Sequence, residues 1–386
     1  MNQKMIVRRK SLIIICYLSA MLIIIFSSCD NIKYKVNKLY EITLNNTSIR
    51  VLQIKNESCL DSTIFCYFDP QNYSIKFATI VGNKINIDRI QLHKTIAESI
   101  NNNLISTSNQ LFCVSKDSIL YFDSDSCKVY CINGKGDMKY VSNLPSEKHP
   151  ALISGQFVSK KGNDYLYTWI PKKEGSFGEV VSRKLFYKTH KPICRVNLKF
   201  EKIVSSSIFG IYPPNYIETG KNFYDYFPNI CLGENNLIIL SYGADNELYI
   251  FKDSTLIKSV ECKSKYIKKF NDISDSQFKN FSFLKKYLFE EPRYIKLIYN
   301  PFKKQYYRIV KHKFDIEDNT IKNKYWSLLI LDDQFTTLDE IEIKYSDYLP
   351  DIIIPSKYGI YLQSLNTNPT SNSKNFILSL VNFDKL

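Results

Sequence analysis

The chain has 386 residues, a formal net charge of +14 and 44% hydrophobic side chains, enough for one large domain or two medium ones. Its basic residues are mostly lysine and form no arginine-rich stripe, which argues against a nucleic-acid partner. Of ten cysteines, Cys16 and Cys29 fall in the N-terminal leader region, and the other eight, without framework spacing, read mostly as buried free thiols, Cys66 and Cys113 lying inside apolar runs.

The chain opens with Lys4, Arg8, Arg9 and Lys10, then an apolar run over residues 12–26. That run is shorter than the roughly 20 apolar residues a spanning helix needs, and so fits a signal peptide. Phe26-Ser27-Ser28-Cys29 resembles a bacterial lipobox: small residues admit the signal peptidase, and the Cys29 thiol receives a diacylglycerol. Each buried CH₂ of the acyl chains is worth about 0.8 kcal/mol, so Cys29 is the expected membrane anchor. The expected organisation is a signal over residues 1–28, a lipidated tether over 29–39 and one folded domain over 40–386.

From residue 40 onwards, aromatic and β-branched residues alternate in short runs broken by Asn, Asp, Gly and Pro, the pattern of an all-β array. Gly134-Lys135-Gly136 reads as a hairpin turn, because no third glycine or helix follows as a phosphate loop requires. Asp123-Ser124-Asp125 reads as a solvated turn, since the later ligands of a calcium loop are missing. One amphipathic helix is expected over residues 274–289, capped by Ser274 or Asp275, with Phe278, Phe281, Leu284 and Leu288 at helical spacing before Pro292. His93, His149, His190 and His312 are scattered and suggest no metal site, and no segment implies a cofactor.

Internal similarity sets the architecture. Residues 119–132 (ILYFDSDSCKVYCI) lie over residues 238–251 (IILSYGADNELYIF) without a gap. A second match pairs the turn Phe68-Asp69-Pro70 with Tyr299-Asn300-Pro301. Both offsets fit a repeat of about 60 residues taken two and four times, which points to a six-bladed β-propeller. Seven shorter blades are the alternative, with paired β-sandwiches third. Strand-like runs at 42–44 or 49–52 and at 376–381 are expected to pair, closing the ring and removing an exposed edge.

The start at Cys29, the run Glu291-Pro292-Arg293-Tyr294 leading to Tyr299-Asn300-Pro301, Tyr306-Tyr307-Arg308 and residues 326–332 (WSLLILD) carry a resemblance. The chain resembles the Bacteroidetes lipoproteins of domain of unknown function family 4221, which implies a TolB-like six-bladed propeller. These are packing and turn motifs, and the family brings no established activity. Asn300 stands where such proteins more often show Asp.

Function is therefore read from surface. Residues 208–229 concentrate Tyr212, Tyr216, Phe223, Tyr224, Tyr226 and Phe227 among three prolines, and are expected to contact a protein or glycan, since rigid aromatics lose little entropy on binding. Ser62, Ser118 and Ser254, each following an aspartate, resemble Bacteroidetes O-glycosylation sites. Residues 31–35 lack an acidic cluster resembling a surface-export tag, so the expected place is the outer membrane, facing the periplasm. The expected role is a binding or scaffold module of the cell envelope, with a propeller hydrolase or lyase as the rival reading. Substitution of Cys29 by Ala is expected to abolish incorporation of labelled palmitate; label entering the variant would refute the anchor.

Overall fold

The computed structural model describes residues 34–44, 50–57, 62–69, 72–81, 84–98, 110–115, 117–123, 128–143, 151–160, 163–169, 180–199, 202–223, 226–317, 320–322, 324–364 and 376–385. Among them the chain folds as β1 (Tyr34–Leu44) followed by five consecutive four-stranded antiparallel sheets and the strands of a sixth. Sheet one is β2 (Arg50–Glu57), β3 (Ser62–Asp69), β4 (Ser74–Val81) and β5 (Lys84–Gln91). Sheet two is β6 (Gln110–Ser115), β7 (Ser118–Asp123), β8 (Lys128–Asn133) and β9 (Met138–Asn143). Sheet three is β10 (Ala151–Lys160), β11 (Asn163–Trp169), β12 (Ile193–Lys199) and β13 (Lys202–Phe209), with helix α1 (Val180–Thr189) between β11 and β12.

Helix α2 (Pro214–Thr219) leads into sheet four, which is β14 (Asn229–Leu232), β15 (Leu237–Ser241), β16 (Glu247–Lys252) and β17 (Thr255–Glu261). Helices α3 (Asp275–Phe278) and α4 (Phe281–Glu290) precede sheet five. Its strands are β18 (Arg293–Asn300), β19 (Gln305–Lys311), β22 (Tyr325–Leu331) and β23 (Thr337–Lys344), with a small hairpin of β20 (Asp315–Glu317) and β21 (Thr320–Lys322) between β19 and β22. Sheet six takes β24 (Tyr348–Pro355), β25 (Ile360–Ser364) and β26 (Phe376–Lys385), and borrows β1 as its fourth strand.

The first strands touch in succession, β2 with β6, β6 with β10, β10 with β14 and β14 with β18, while β24 returns to β2. The core is divided into clusters between neighbouring sheets. Cys66, Ile75, Ile90, Ile119 and Ile132 pack sheet one on sheet two, and Ile309, Trp326, Ile353 and Leu362 pack sheet five on sheet six. Alternation produces this: in β4 and β19, successive side chains point to opposite faces, and a sheet with neighbours on both sides buries both. Cys66, Cys131, Cys194, Cys231 and Cys262 are buried, and burial pushes the pKa of the Cys231 thiol up to about 12.

The expected ring closure is realised by β1 and β26, paired from Tyr34–Lys385 to Leu44–Phe376. Residues 50–52 of the alternative run instead open β2, in sheet one. The expected tether is too long, because residues 34–39 already belong to β1 and are held by that pairing. The first repeat match is structural: residues 119–132 and 238–251 span strands two and three of sheets two and four. The second match is not. Asp69 ends the second strand of its sheet, whereas Asn300 ends the first strand of its own. The two turns share local chemistry. The Asp69 side chain accepts the Asn72 amide at 3.2 Å, and the Asn300 side chain accepts the Phe302 amide at 3.0 Å. An Asx residue that folds back on its own backbone makes the same sequence signature wherever a turn is needed.

Antiparallel sheets of four strands give the array two unlike ends. Each sheet is entered at one end, and strand order then places every second-to-third connection and every sheet-to-sheet link at that same end. The helical turn over 94–98, α1 to α4 and the β20–β21 hairpin all lie in such connections. The opposite end carries only first-to-second and third-to-fourth turns, such as 134–137, 253–254, 301–304 and 356–359. Gly136, in the first of these turns, has a φ of +85°, and an added Cβ would lie 1.9 Å from the carbonyl oxygen of Gln91 in the neighbouring sheet. A chain ending after Ser373 would lose β26, leaving β1 without a strand partner and β25 paired on its β24 side alone, with an open edge. Its cooperative thermal transition is expected to disappear; retention of the full-length Tm would show that the ring does not depend on closure.

Candidate functional site

The end that carries the helices is locked together by a few long-range bonds. Arg183 of α1, buried, donates through Nε to the Gly220 carbonyl at 2.9 Å and pairs with Asp275 of α3 at 2.5 Å. Tyr187 donates to the Lys221 carbonyl at 3.2 Å, and the Ile273 amide donates to the Asn222 carbonyl at 2.9 Å. The connections around sheets three and four therefore form one layer.

Residues 208–229 belong to that layer as packing. Tyr212 is 1% exposed, Tyr216 0% and Phe223 1%, and the three sit in one cluster with Phe186, Tyr187, Tyr242 and Tyr249. Tyr216 stacks on Phe223 at 4.6 Å between ring centroids, and Tyr212 lies 5.0 Å from Tyr187. The expectation that Tyr212, Tyr216 and Phe223 form a contact surface is corrected by this burial: the apolar roof over sheets three and four needed covering, and these rings cover it. Tyr226 is half-buried against Phe186. Tyr224 lies outside the described residues.

The exposed aromatics are elsewhere. The single helix expected over 274–289 is broken in two. Ser274 caps α3 in a reciprocal box with Gln277, accepting its amide at 3.3 Å and donating its own amide to Gln277 Oε1 at 2.9 Å. Asn280 then caps α4 by accepting the Phe283 amide at 3.1 Å, which restarts the helix and turns its apolar stripe. Phe281 is left 78% exposed and Phe278 and Phe289 about 40%, and no residue of α4 is fully buried. The expectation of a single short helix is likewise corrected: among the described residues α1 and α2 and the helical turn over 94–98 occupy this end besides α3 and α4.

Beside α4 opens a cleft of about 310 Å³ between sheets four and five. Phe227, Asn229, Leu288, Arg293, Tyr294 and Lys311 are among its walls. Its two cations are committed to the helix. The last carbonyls of an α-helix have no internal partner and carry partial negative charge. Lys311 Nζ donates to the carbonyls of Phe289 at 2.6 Å and Glu291 at 2.8 Å, and Arg293 donates to that of Leu288. Arg293 and Lys311 thus hold α4 against the cleft while keeping its wall positive.

The cleft floor rests on Arg308, which is fully buried. Its guanidinium donates to the carbonyls of Asp245 at 2.6 Å, Asn246 at 2.7 Å and Cys262 at 2.9 Å, and to Ser241 Oγ at 3.1 Å. The Tyr294 ring lies 3.4 Å beneath it, and the Tyr294 hydroxyl donates to Asn246 Oδ1 at 2.9 Å. The Tyr294 amide donates to the Gly243 carbonyl at 3.0 Å. One side chain of sheet five therefore fixes the 242–246 turn of sheet four, and with it the cleft. Among the first strands, burial holds the Lys296 ammonium of β18 below its ordinary range, against the opposing pull of Asp351 on β24.

Cys29 lies outside the described residues. Ser254 is exposed at the tip of the β16–β17 turn, and Ser118 is half-buried with its hydroxyl 3.6 Å from Cys131 Sγ. Ser62 opens β3. His93 is exposed, 3.5 Å from Asp137, and His190 stacks on Phe186 at 4.6 Å. His312 is buried, stacked on Tyr266 at 4.1 Å and held down at about 4 by desolvation and Lys265. His149 lies outside the described residues. No group of three metal-ligating side chains occurs among the described residues, and no helix there is long and apolar enough to cross a membrane. The cleft cations, Phe278 and Phe281 were not singled out as a site by the sequence. The one available signal was α4 itself, where Phe281, Phe283, Leu284, Tyr287, Leu288 and Phe289 exceed what one helix face can bury.

The model of the family described as Domain of unknown function (DUF4221) matches residues 83–342. A crystal structure of a member of that family from Bacteroides vulgatus superimposes with a TM-score of 0.65 at 16% identity, covering 92% of this chain and 99% of that one. A catalytically inactive virginiamycin B lyase from Staphylococcus aureus, solved with quinupristin, gives a TM-score of 0.40 at 10% identity, covering 90% of this chain and 99% of that one. No curated protein matches the sequence. Replacement of Arg308 by Lys leaves several buried carbonyls unpaired, each costing about 1–3 kcal/mol. A stability loss on the order of 4 kcal/mol is expected in denaturant unfolding; a variant within 1 kcal/mol of the parent, as an estimate for a replaceable bond, would show that the cradle is dispensable.

Proposed function

Since the chain belongs to the DUF4221 family, a domain of unknown function, we propose that it is a binding module of the cell envelope. On this reading Cys29 is acylated and tethers the propeller to the outer membrane within the periplasm. The helix-bearing end then meets a protein or glycan partner at the cleft between sheets four and five. The observation that carries this is Phe281, 78% exposed on a helix that two buried-side cations hold in place. Leaving a phenylalanine in water forgoes about 1.5–3 kcal/mol of burial, and Arg293 and Lys311 maintain that arrangement instead of letting α4 fold down. Exposed aromatics on α3 and α4, together with Phe227 in the cleft wall that also holds Arg293 and Lys311, suit a partner that offers sugar ring faces or apolar side chains together with hydrogen-bond acceptors.

The reading separates surface from packing. Phe278→Ala with Phe281→Ala is expected to leave Tm within a few degrees of the parent and to remove a partner recovered by crosslinking from intact cells. Tyr216→Ala is expected to do the reverse, costing about 3–5 kcal/mol of stability as a buried aromatic truncation does, with partner recovery unchanged per folded molecule. Undiminished crosslinking in the stably folded phenylalanine double variant would remove α3 and α4 from consideration.

A further inference from the structure

The two ends of the sheets are unlike, and the N-terminus chooses between them. β1 is the fourth strand of sheet six and pairs antiparallel to β26. It therefore enters at the end that carries the short turns and runs towards the end that carries the helices. Cys29 precedes Tyr34 by five positions, a reach of at most about 18 Å when fully extended. β1 itself rises about 35 Å from one end to the other. An acyl group on Cys29 can hold the short-turn end at a bilayer, and cannot bring the helix-bearing end to it.

The surface beside that entry point has the corresponding chemistry. Phe383 and Asn382 pair with Val36 and Asn37 of β1, and both line a groove of about 230 Å³ between sheets five and six. Its other walls include Ile330, Leu338 and Lys303, with Asp339 the carboxylate among them. Leu338 is 51% exposed and Tyr358, on the adjoining turn of sheet six, 50%. The Lys357 ammonium lies 5.9 Å from the Tyr358 ring centroid, and Lys303 is exposed on the facing turn. Tyrosine and lysine together suit a membrane interface, the ring sitting at headgroup depth and the lysine stem lying along apolar surface with its charge in water.

We propose that the short-turn end of sheets five and six, from the groove at Lys303 and Leu338 to the Lys357-Tyr358 turn, rests on the anionic phospholipid headgroups beside the anchor. The helix-bearing end and its cleft are thereby turned away from the bilayer. This rests on the lipid-anchor reading of Cys29.

The test uses the full-length lipoprotein reconstituted into vesicles of phosphatidylethanolamine and phosphatidylglycerol, with photoreactive benzoylphenylalanine placed at position 358, 338 or 281. Palmitate labelling is read on the same samples. Lipid adducts are expected from 358 and 338 and not above background from 281. Lys303→Glu with Lys357→Glu is expected to lower the 358 adduct at unchanged Tm. Absence of palmitate would refute the anchor and the orientation together. A palmitoylated chain that gives its lipid adduct from 281, or equally from both ends, would overturn the orientation alone. Adducts from 358 to an envelope protein in cells, with none to lipid in vesicles, would assign the groove to a protein and overturn the lipid assignment. An undiminished 358 adduct in the lysine double variant would overturn the headgroup contact.

Discussion

A cation buried without a carboxylate bonded to it governs the interface between sheets four and five. Taking a charge out of water costs several kcal/mol even after relaxation, and Arg308 recovers that cost from carbonyl dipoles and the face of Tyr294. Its planar fork with five donors can meet several carbonyls at once, which the single ammonium of a lysine cannot. The bonds all run from sheet five into the 241–247 turn of sheet four and the start of the link beyond it. Sheet packing by apolar contact alone would allow some sliding. The guanidinium sets one register, and the position of Gly243, Tyr294 and the cleft above them follows from it.

A second polar centre acts on the same interface from its outer side. Glu340, buried, accepts from Ser264 Oγ and Ser327 Oγ at 2.6 Å each and from the Lys265 amide at 2.8 Å. It therefore binds the link leaving sheet four to the last two strands of sheet five. Arg308 and Glu340 satisfy opposite needs, the one collecting carbonyls and the other collecting donors. Between them the 262–292 link is fixed at its root, while the segment that carries Phe278 and Phe281 stays at the surface.

The division of labour between the two ends is a consequence of strand parity. With four antiparallel strands in each sheet, all links that must travel between sheets leave from one end, and length can accumulate there without disturbing the ladders. The other end is restricted to hairpin turns. Closing the ring with the N-terminal strand in the outermost position brings the start of the domain to the short-turn end, opposite the end where the insertions accumulate.

Much of this was present in the amino-acid order. Alternation of aromatic and β-branched residues, the gapless match of residues 119–132 to 238–251, and strand-like runs at both termini are local or pairwise properties, and each corresponds to an element found. The Asx turn at Asn300 was legible as a turn but not as to which turn, because its hydrogen bonds lie within four residues and carry no information about sheet order. What the sequence could not decide was which aromatics face water. Tyr212, Tyr216 and Phe223 look like a binding surface until Phe186, Tyr187 and Tyr242, remote in sequence, are seen to enclose them. Phe281 looks like helix core until Asn280 restarts the helix and Lys311, from another strand, takes its terminal carbonyls. Burial is a property of the sum of long-range contacts, so only the tertiary structure could assign it.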